Sequence, residues 1–167
     1  WRDFEPEWRS QPCPFAPRMD FDKERIECGY VLVPENRRDP DSRLIRLSVA
    51  RLVSDVEDPP AGTSVYLSGG PGGPAMSLAV SRFSSDSERA RQMREASHWL
   101  FPDQRGVGFS EPYFCRGVFG PLADEVPYGA EARARFHADL RECLDRARSR
   151  GIDVRAYTTW DNAMDMR

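Results

Sequence analysis

A short apolar segment followed by a glycine cluster, a helix and a second apolar segment constrains the fold of this chain most. The first segment covers 63–67, and Ser68-Gly69-Gly70-Pro71-Gly72-Gly73-Pro74 follows it directly. The second segment covers 98–102, and residues of the 76–97 region have the composition of at least one helix. Strand, helix and strand in this order form a parallel crossover, so the sequence predicts an α/β fold. Both segments are short and nearly continuously apolar, which is typical of strands buried on both faces of a sheet.

An antiparallel hairpin is predicted before this crossover. Residues 26–33 and 44–53 have the composition of strands, and the polar segment 36–42 between them is predicted to be the hairpin loop. The preceding residues 1–25 carry four prolines among aromatic and charged side chains. They are predicted to form an irregular strap over the surface, which a disulfide of Cys13 ties down.

Two more helices are predicted in the last part of the chain. An amphipathic pattern covers 131–150 and is closed by Gly151. A capping pattern at Thr158–Asp161 begins a final helix, which is predicted to continue to the end of the chain. Residues 26–167 are therefore assigned to one core, with the hairpin leading into a parallel sheet flanked by helices.

Composition and charge exclude several function classes. The 24 basic and 27 acidic residues leave a net charge of −3, and the arginines are interleaved with acids. A nucleic acid or an anionic membrane is therefore not an expected partner. No stretch approaches the roughly 18–20 apolar residues of a membrane span. The chain begins with Trp1 instead of Met, which predicts a mature or trimmed product without its targeting signal.

The four cysteines, Cys13, Cys28, Cys115 and Cys143, favour disulfides over a metal site. They have no C-x-x-C spacing and the chain has only two histidines, so zinc is not expected. An even count at wide spacing favours two disulfides and an oxidising compartment, either secreted or periplasmic. Three connectivities are open, and buried free thiols are an alternative. The pairing of Cys13 with Cys28 and Cys115 with Cys143 is favoured because it closes the shortest loops.

The glycine loop has three interpretations from its residues alone. It could be a tight turn without further function. It could supply a backbone N–H group to an oxyanion hole for acyl transfer. It could bind a dinucleotide, because Gly70-x-Gly72-x-x-Ala75 matches a relaxed G-x-G-x-x-G/A pattern and Asp103 ends the following strand. Pro71 and Pro74, however, remove two backbone donors that a phosphate cradle would use.

A second loop, Asp103-Gln104-Arg105-Gly106-Val107-Gly108-Phe109-Ser110, follows the strand that ends in Pro102. An acid, a guanidinium and two glycines in one short loop predict a self-bonded turn. In that turn Asp103 and Arg105 fix the backbone through charge-assisted hydrogen bonds. A structural role is favoured over a catalytic one for this loop.

Together the two loops resemble the proline iminopeptidase and tripeptidyl aminopeptidase family of α/β-hydrolases. The segments Cys28–Asn36 and Tyr157–Asp165 and the placement of the last two cysteines are similar to its secreted tripeptidyl aminopeptidase-like branch. The resemblance implies a serine peptidase that acts on peptide N-termini or on a small ester or amide, without a cofactor. Gly70, with Gly69 beside it, would offer the oxyanion donor, and Ser68 stands where the family often has His. The supporting residues would be Pro71, Gly72, Gly73, Asp103, Arg105, Gly106, Gly108 and Ser110.

The catalytic triad of such an enzyme is not found in this sequence. The nucleophile elbow G-x-S-x-G is absent, since the one pair of glycines four apart, Gly69 and Gly73, encloses Pro71. The elbow is expected soon after the helix that starts near Thr158, and the acid and histidine later. His98 and His137 are predicted to be structural or solvent-facing.

We therefore expect the amino-terminal half of a hydrolase, inactive and poorly stable alone, whose main partner is the rest of its own domain. A Rossmann-type dinucleotide-binding domain and a non-catalytic, disulfide-stapled binding module are the alternatives.

Overall fold

One mixed sheet organises the computed structural model, which describes residues 5–15, 25–69, 72–115 and 129–167. Its strands are β1 (Trp8–Ser10), β2 (Ile26–Pro34), β3 (Leu44–Leu52), β4 (Thr63–Val65) and β5 (His98–Pro102). Their order across the sheet is β1-β2-β3-β5-β4. β4 and β5 are parallel, and the other neighbours are antiparallel. The predicted α/β class and the hairpin before the crossover are thus confirmed.

The crossover between β4 and β5 contains two helices, α1 (Ala75–Phe83) and α2 (Glu88–Ala96). Phe83, the last residue of α1, holds this helix against the sheet. Its ring centroid lies 4.7 Å from that of Trp99 and 5.0 Å from that of Phe101. Edge-to-face aromatic contacts at these distances add stability beyond the buried area. The position of α1 over β5 is therefore fixed at the carboxyl end of the helix by packing.

β4 is one of the two outer strands of the described sheet, which corrects the prediction that it is buried on both faces. Val65 is 51% exposed and Leu67 is 54% exposed. The strand also ends at Val65, before the predicted Leu67. The reason is topological, because among the described residues β4 pairs with β5 alone. β5 lies between β3 and β4, and its last two residues, Phe101 and Pro102, are buried as expected. His98, Trp99 and Leu100 are only half-buried, so the prediction of burial on both faces is wrong for the first part of this strand.

The N-terminal strap is more regular than predicted. Trp8–Ser10 forms β1 and pairs with β2, because these residues lie between Pro6 and Pro12 and keep their backbone donors. The Trp8 ring lies over Gly29, where a side chain would collide with it. Disulfides join Cys13 to Cys28 and Cys115 to Cys143, which is the favoured pairing. Residues 1–4 and 16–24 of the strap lie outside the described residues.

The last part of the described chain contains α3 (Ala130–Ser149), a 3₁₀ turn at Val154–Ala156 and α4 (Thr159–Asp165). Thr158 caps α4 as predicted, since its hydroxyl accepts from the Asp161 N–H. The expected continuation of α4 to Arg167 is wrong, because the Met166 N–H bonds to the Ala163 carbonyl and closes the helix. Across the described ranges, no helix has the length and apolar character to cross a membrane.

Candidate functional site

The two loops singled out in the sequence begin at the same edge of the sheet. β4 and β5 are parallel, and the Tyr66 N–H bonds to the Leu100 carbonyl at 2.8 Å, which extends their pairing. The glycine loop, residues 68–74, follows β4. The second loop, residues 103–110, follows β5. Ligands of open α/β sheets bind at this carboxyl edge, so the loops stand where a site is expected.

The glycine loop turns back on itself. Gly72 has a φ of +83°, a conformation that favours glycine. A Cβ at Gly73 would lie 2.6 Å from the Gly69 carbonyl oxygen, so the backbone there leaves no room for a side chain. Gly69 is exposed, whereas Gly70 and Pro71 lie outside the described residues.

Asp103 joins the two loops. Its Oδ1 accepts from the N–H groups of Ala75 at 2.6 Å and Met76 at 3.0 Å, and its Oδ2 accepts from the Phe109 N–H at 2.9 Å. Ala75 begins α1, and the residue before it, Pro74, has no side chain that can cap a helix. A carboxylate at a helix N-terminus is also favoured by the helix dipole. Asp103 therefore caps α1 from the loop that follows β5 and holds the carboxyl end of the glycine loop.

The environment of Asp103 leaves no access for solvent. The residue is 0% exposed. Burial raises the pKa of Asp103, and its three backbone hydrogen bonds offset part of that rise. A Cβ at Gly108, whose φ is +58°, would overlap the Asp103 carboxylate. Ser110 closes the loop, since its hydroxyl donates to the Asp103 carbonyl at 2.6 Å and accepts from the Ser48 N–H.

Arg105 donates to residues outside the 103–110 loop, which corrects half of the predicted self-bonded turn. Its Nε and Nη2 each donate to the Asp165 carboxylate of α4 at 2.8 Å. Its remaining donors reach the carbonyls of Pro34, Glu35 and Ala156. Both charged side chains are 0% exposed. All five guanidinium donors are thus used to tie α4 and the 3₁₀ turn to the end of β2.

Comparison with known proteins shows which proteins this chain is similar to. No protein-family model matches the chain. The chain resembles two tripeptidyl aminopeptidases. The one from Streptomyces coelicolor (strain ATCC BAA-471 / A3(2) / M145) is 34% identical over 143 residues, and the one from Streptomyces lividans is 33% identical over the same length. Each match covers 82% of this chain and 26% of the relative. The chain therefore spans about a quarter of these relatives, and their name supports a peptidase family.

The geometry argues against the dinucleotide alternative. In that interpretation Asp103 would bind a ribose hydroxyl and the N-terminus of α1 would bind the pyrophosphate. Asp103 is instead fully buried, and its carboxylate already accepts from the Ala75 and Met76 N–H groups. The carboxylate that would bind the ribose and the N–H groups that would bind the pyrophosphate are therefore already hydrogen-bonded to each other.

The two histidines occupy structural or exposed positions, as the sequence predicts. The His98 Nδ1 accepts from the Ser54 N–H at 3.0 Å. His137 is exposed on α3. Within the part of the chain that the structure describes, no group of three His, Cys, Asp or Glu side chains could hold a metal ion.

Sequence reasoning missed a polar cluster around Glu35 beside the Arg105 site. The Glu35 carboxylate accepts from Arg43 at 2.8 and 2.9 Å, from the Tyr157 hydroxyl at 2.6 Å and from the Asp153 N–H at 3.3 Å. Burial by itself would raise the pKa of Glu35, but these hydrogen bonds lower it overall. Burial and the bond to Glu35 raise the pKa of Tyr157. The available signal was the presence of Glu35 and Tyr157 in the two segments that carry the family resemblance.

Proposed function

We propose that this chain is the amino-terminal part of an α/β-hydrolase that acts as a serine aminopeptidase. The observation that carries the proposal is the glycine loop at the carboxyl edge of a parallel strand pair, clamped at its end by the buried Asp103. The name of the two relatives supports the reaction class. The substrate would be a peptide with a free N-terminus, or a small ester or amide.

In this proposal the glycine loop supplies half of an acyl-transfer site. Attack of a serine hydroxyl on the scissile carbonyl forms a C–O bond and leaves a negative charge on the carbonyl oxygen. The Gly70 N–H, with that of Gly69 beside it, would donate to this oxygen. One such donor is worth about 2.7–4 kcal/mol of transition-state stabilisation. A histidine takes the serine proton and gives it to the leaving amine as the C–N bond breaks, which leaves a serine ester; water then hydrolyses this ester and releases the acid and the free serine.

The remaining groups belong to the rest of the protein in this proposal. The nucleophile, the histidine and the acid would lie in the part of the relatives' length that this chain does not span. The next strand of the sheet would pair with β4 and cover Val65, in that strand, and Leu67, just after it, which are both about half exposed. The isolated chain would then be inactive and poorly stable.

An oxidising compartment completes the proposal. The two disulfides are typical of secreted and periplasmic proteins, since cytosolic thiols are kept reduced. We therefore place the protein outside the cytoplasm, with no cofactor required.

The test compares the full-length protein with the isolated chain. The full-length protein is expected to release p-nitroaniline from a tripeptide anilide with a free amine, and to cleave the N-acetylated anilide at least about tenfold more slowly. A fluorophosphonate probe is expected to label the full-length protein and not the 167-residue chain. Labelling of the isolated chain would show that it holds its own nucleophile. An unlabelled and inactive full-length protein would remove the serine mechanism.

A further inference from the structure

Two buried charges in one short turn connect different parts of the candidate site. Asp103 bonds to the first N–H groups of α1, directly after the glycine loop. Arg105, two residues later, forms a two-point ion pair with Asp165 of α4. Gly106, the residue after Arg105, has a φ of +74°, which lets the backbone turn sharply. From the same turn, the Asp103 side chain thus binds α1 and the Arg105 side chain binds α4.

The turn itself is held rigidly. The Asp103 N–H bonds to the Ser48 carbonyl at 2.9 Å, which fixes the turn on β3. At its other end the Glu111 N–H bonds to the Arg46 carbonyl at 2.8 Å. Both charged residues are buried, so water does not compete for their hydrogen bonds. A displacement of the turn would therefore move α1 and α4 together.

We propose that Asp103 and Arg105 are positioning residues that set the distance between the N-terminus of α1, where the glycine loop ends, and α4. This inference rests on the proposed function, in which the nucleophile follows α4 and the oxyanion donor lies in the glycine loop. Neither residue touches the substrate. Asp103 fixes the position of the glycine loop, which carries the oxyanion donor. Arg105 fixes the position of α4, which the nucleophile follows.

The expected effect of each residue follows from its geometry. Asp103→Asn keeps the size but loses one acceptor, so either the α1 N–H groups or the Phe109 N–H faces an amide donor. Arg105→Lys keeps the charge but cannot make the two-point contact with Asp165. Misplacement of reacting groups by about 1 Å reduces rates roughly 100-fold.

The experiment uses the full-length protein and steady-state hydrolysis of a tripeptide anilide. Asp103→Asn and Arg105→Lys are each expected to lower kcat by about 10- to 100-fold with KM changed less than about threefold. A tripeptide boronic acid, whose hydroxyl occupies the oxyanion position, is expected to lose affinity by a similar factor. Arg51→Lys is the matched control, because Arg51 also makes an ion pair with a carboxylate, that of Glu27, but on the exposed surface. It is expected to leave kcat within about twofold.

Hydrogen exchange separates positioning from general loss of structure. Asp103→Asn is expected to speed exchange at Ala75, Met76 and Phe109, and Arg105→Lys at residues 159–165, while β2 and β3 keep their protection. Wild-type kcat in either variant overturns the inference. So does an activity loss that appears in KM alone or follows the unfolded fraction. A wild-type protein that neither hydrolyses the substrate nor reacts with fluorophosphonate removes the proposed function instead, and this inference with it.

Discussion

Gly73→Ala tests the glycine loop most directly, because the structure leaves no space for the added methyl group. The new Cβ would start 2.6 Å from the Gly69 carbonyl oxygen and 3.0 Å from the Ser68 hydroxyl oxygen. The Gly69 carbonyl would have to move by roughly 0.5–1 Å to restore an ordinary contact. The same peptide unit carries the N–H of residue 70, so the proposed donor would move with it. A misplacement of this size predicts a loss in kcat of about 100-fold.

The assay measures kcat and KM of the full-length protein on a tripeptide anilide, together with the melting temperature. The expected result is a low kcat with nearly unchanged KM and melting temperature, because the described loop residues, 68–69 and 72–74, are exposed or half-buried and do not belong to the core. Gly62→Ala is the matched control. Its φ is +61° and no atom lies within 4 Å of the added Cβ. It sits before β4, at the other end of the strand, so it should cost about 1–2 kcal/mol of stability and leave kcat intact.

Two results would refute the reasoning. A Gly73→Ala protein with wild-type kcat would show that the loop does not hold the oxyanion donor. Equal activity losses in the Gly62 and Gly73 variants would show that the effect follows stability and not the position of the loop.

Three further predictions concern stability. Asp165→Asn leaves the buried Arg105 guanidinium without a carboxylate and should cost about 3–5 kcal/mol in urea unfolding. Phe83→Ala should lower the free energy of unfolding by about 3–5 kcal/mol, because Phe83 is buried. Val56→Ala, at an exposed site, should lower it by less than about 1 kcal/mol, and thermal unfolding of the two variants measures the difference. The folded-state pKa of Glu35 lies below its unfolded value, so its contribution is present above the unfolded pKa and is lost as pH falls through the folded pKa. Glu35→Gln should therefore flatten the acid limb of the stability curve, and an unchanged slope would contradict this.

The hairpin and the crossover could be predicted because local patterns decide them. The strands 26–34 and 44–52 agree with the predicted bounds within one residue, since apolar runs and turn residues mark both ends. Thr158 was recognised as a helix cap for the same reason: its partner, the Asp161 N–H, is three residues away. The burial of β4 was not predictable in the same way, because it depends on which strand stands beside it.

The sequence indicated which loops form the candidate site, but not the hydrogen bonds and ion pairs that hold them. Gly69, Gly73 and the 103–110 loop were identified from composition. The cap on α1 could not be found locally, because Pro74 offers no side chain and the acceptor is Asp103, 28 residues from Ala75. Likewise the partner of Arg105 is 60 residues away, and many other acids in the sequence would have satisfied the same rule.

The contact between Gly108 and Asp103 has a consequence for reading related sequences. Because a Cβ at position 108 would occupy the space of the Asp103 carboxylate, the two positions form one steric unit. A homologue with any side chain at position 108 would need a residue with a shorter side chain than Asp at position 103. The N-terminus of α1 would then need another cap, most simply Ser or Asp in place of Pro74. Substitutions at positions 74, 103 and 108 are therefore expected to occur together, and this covariation would identify relatives that fix the glycine loop by a different route.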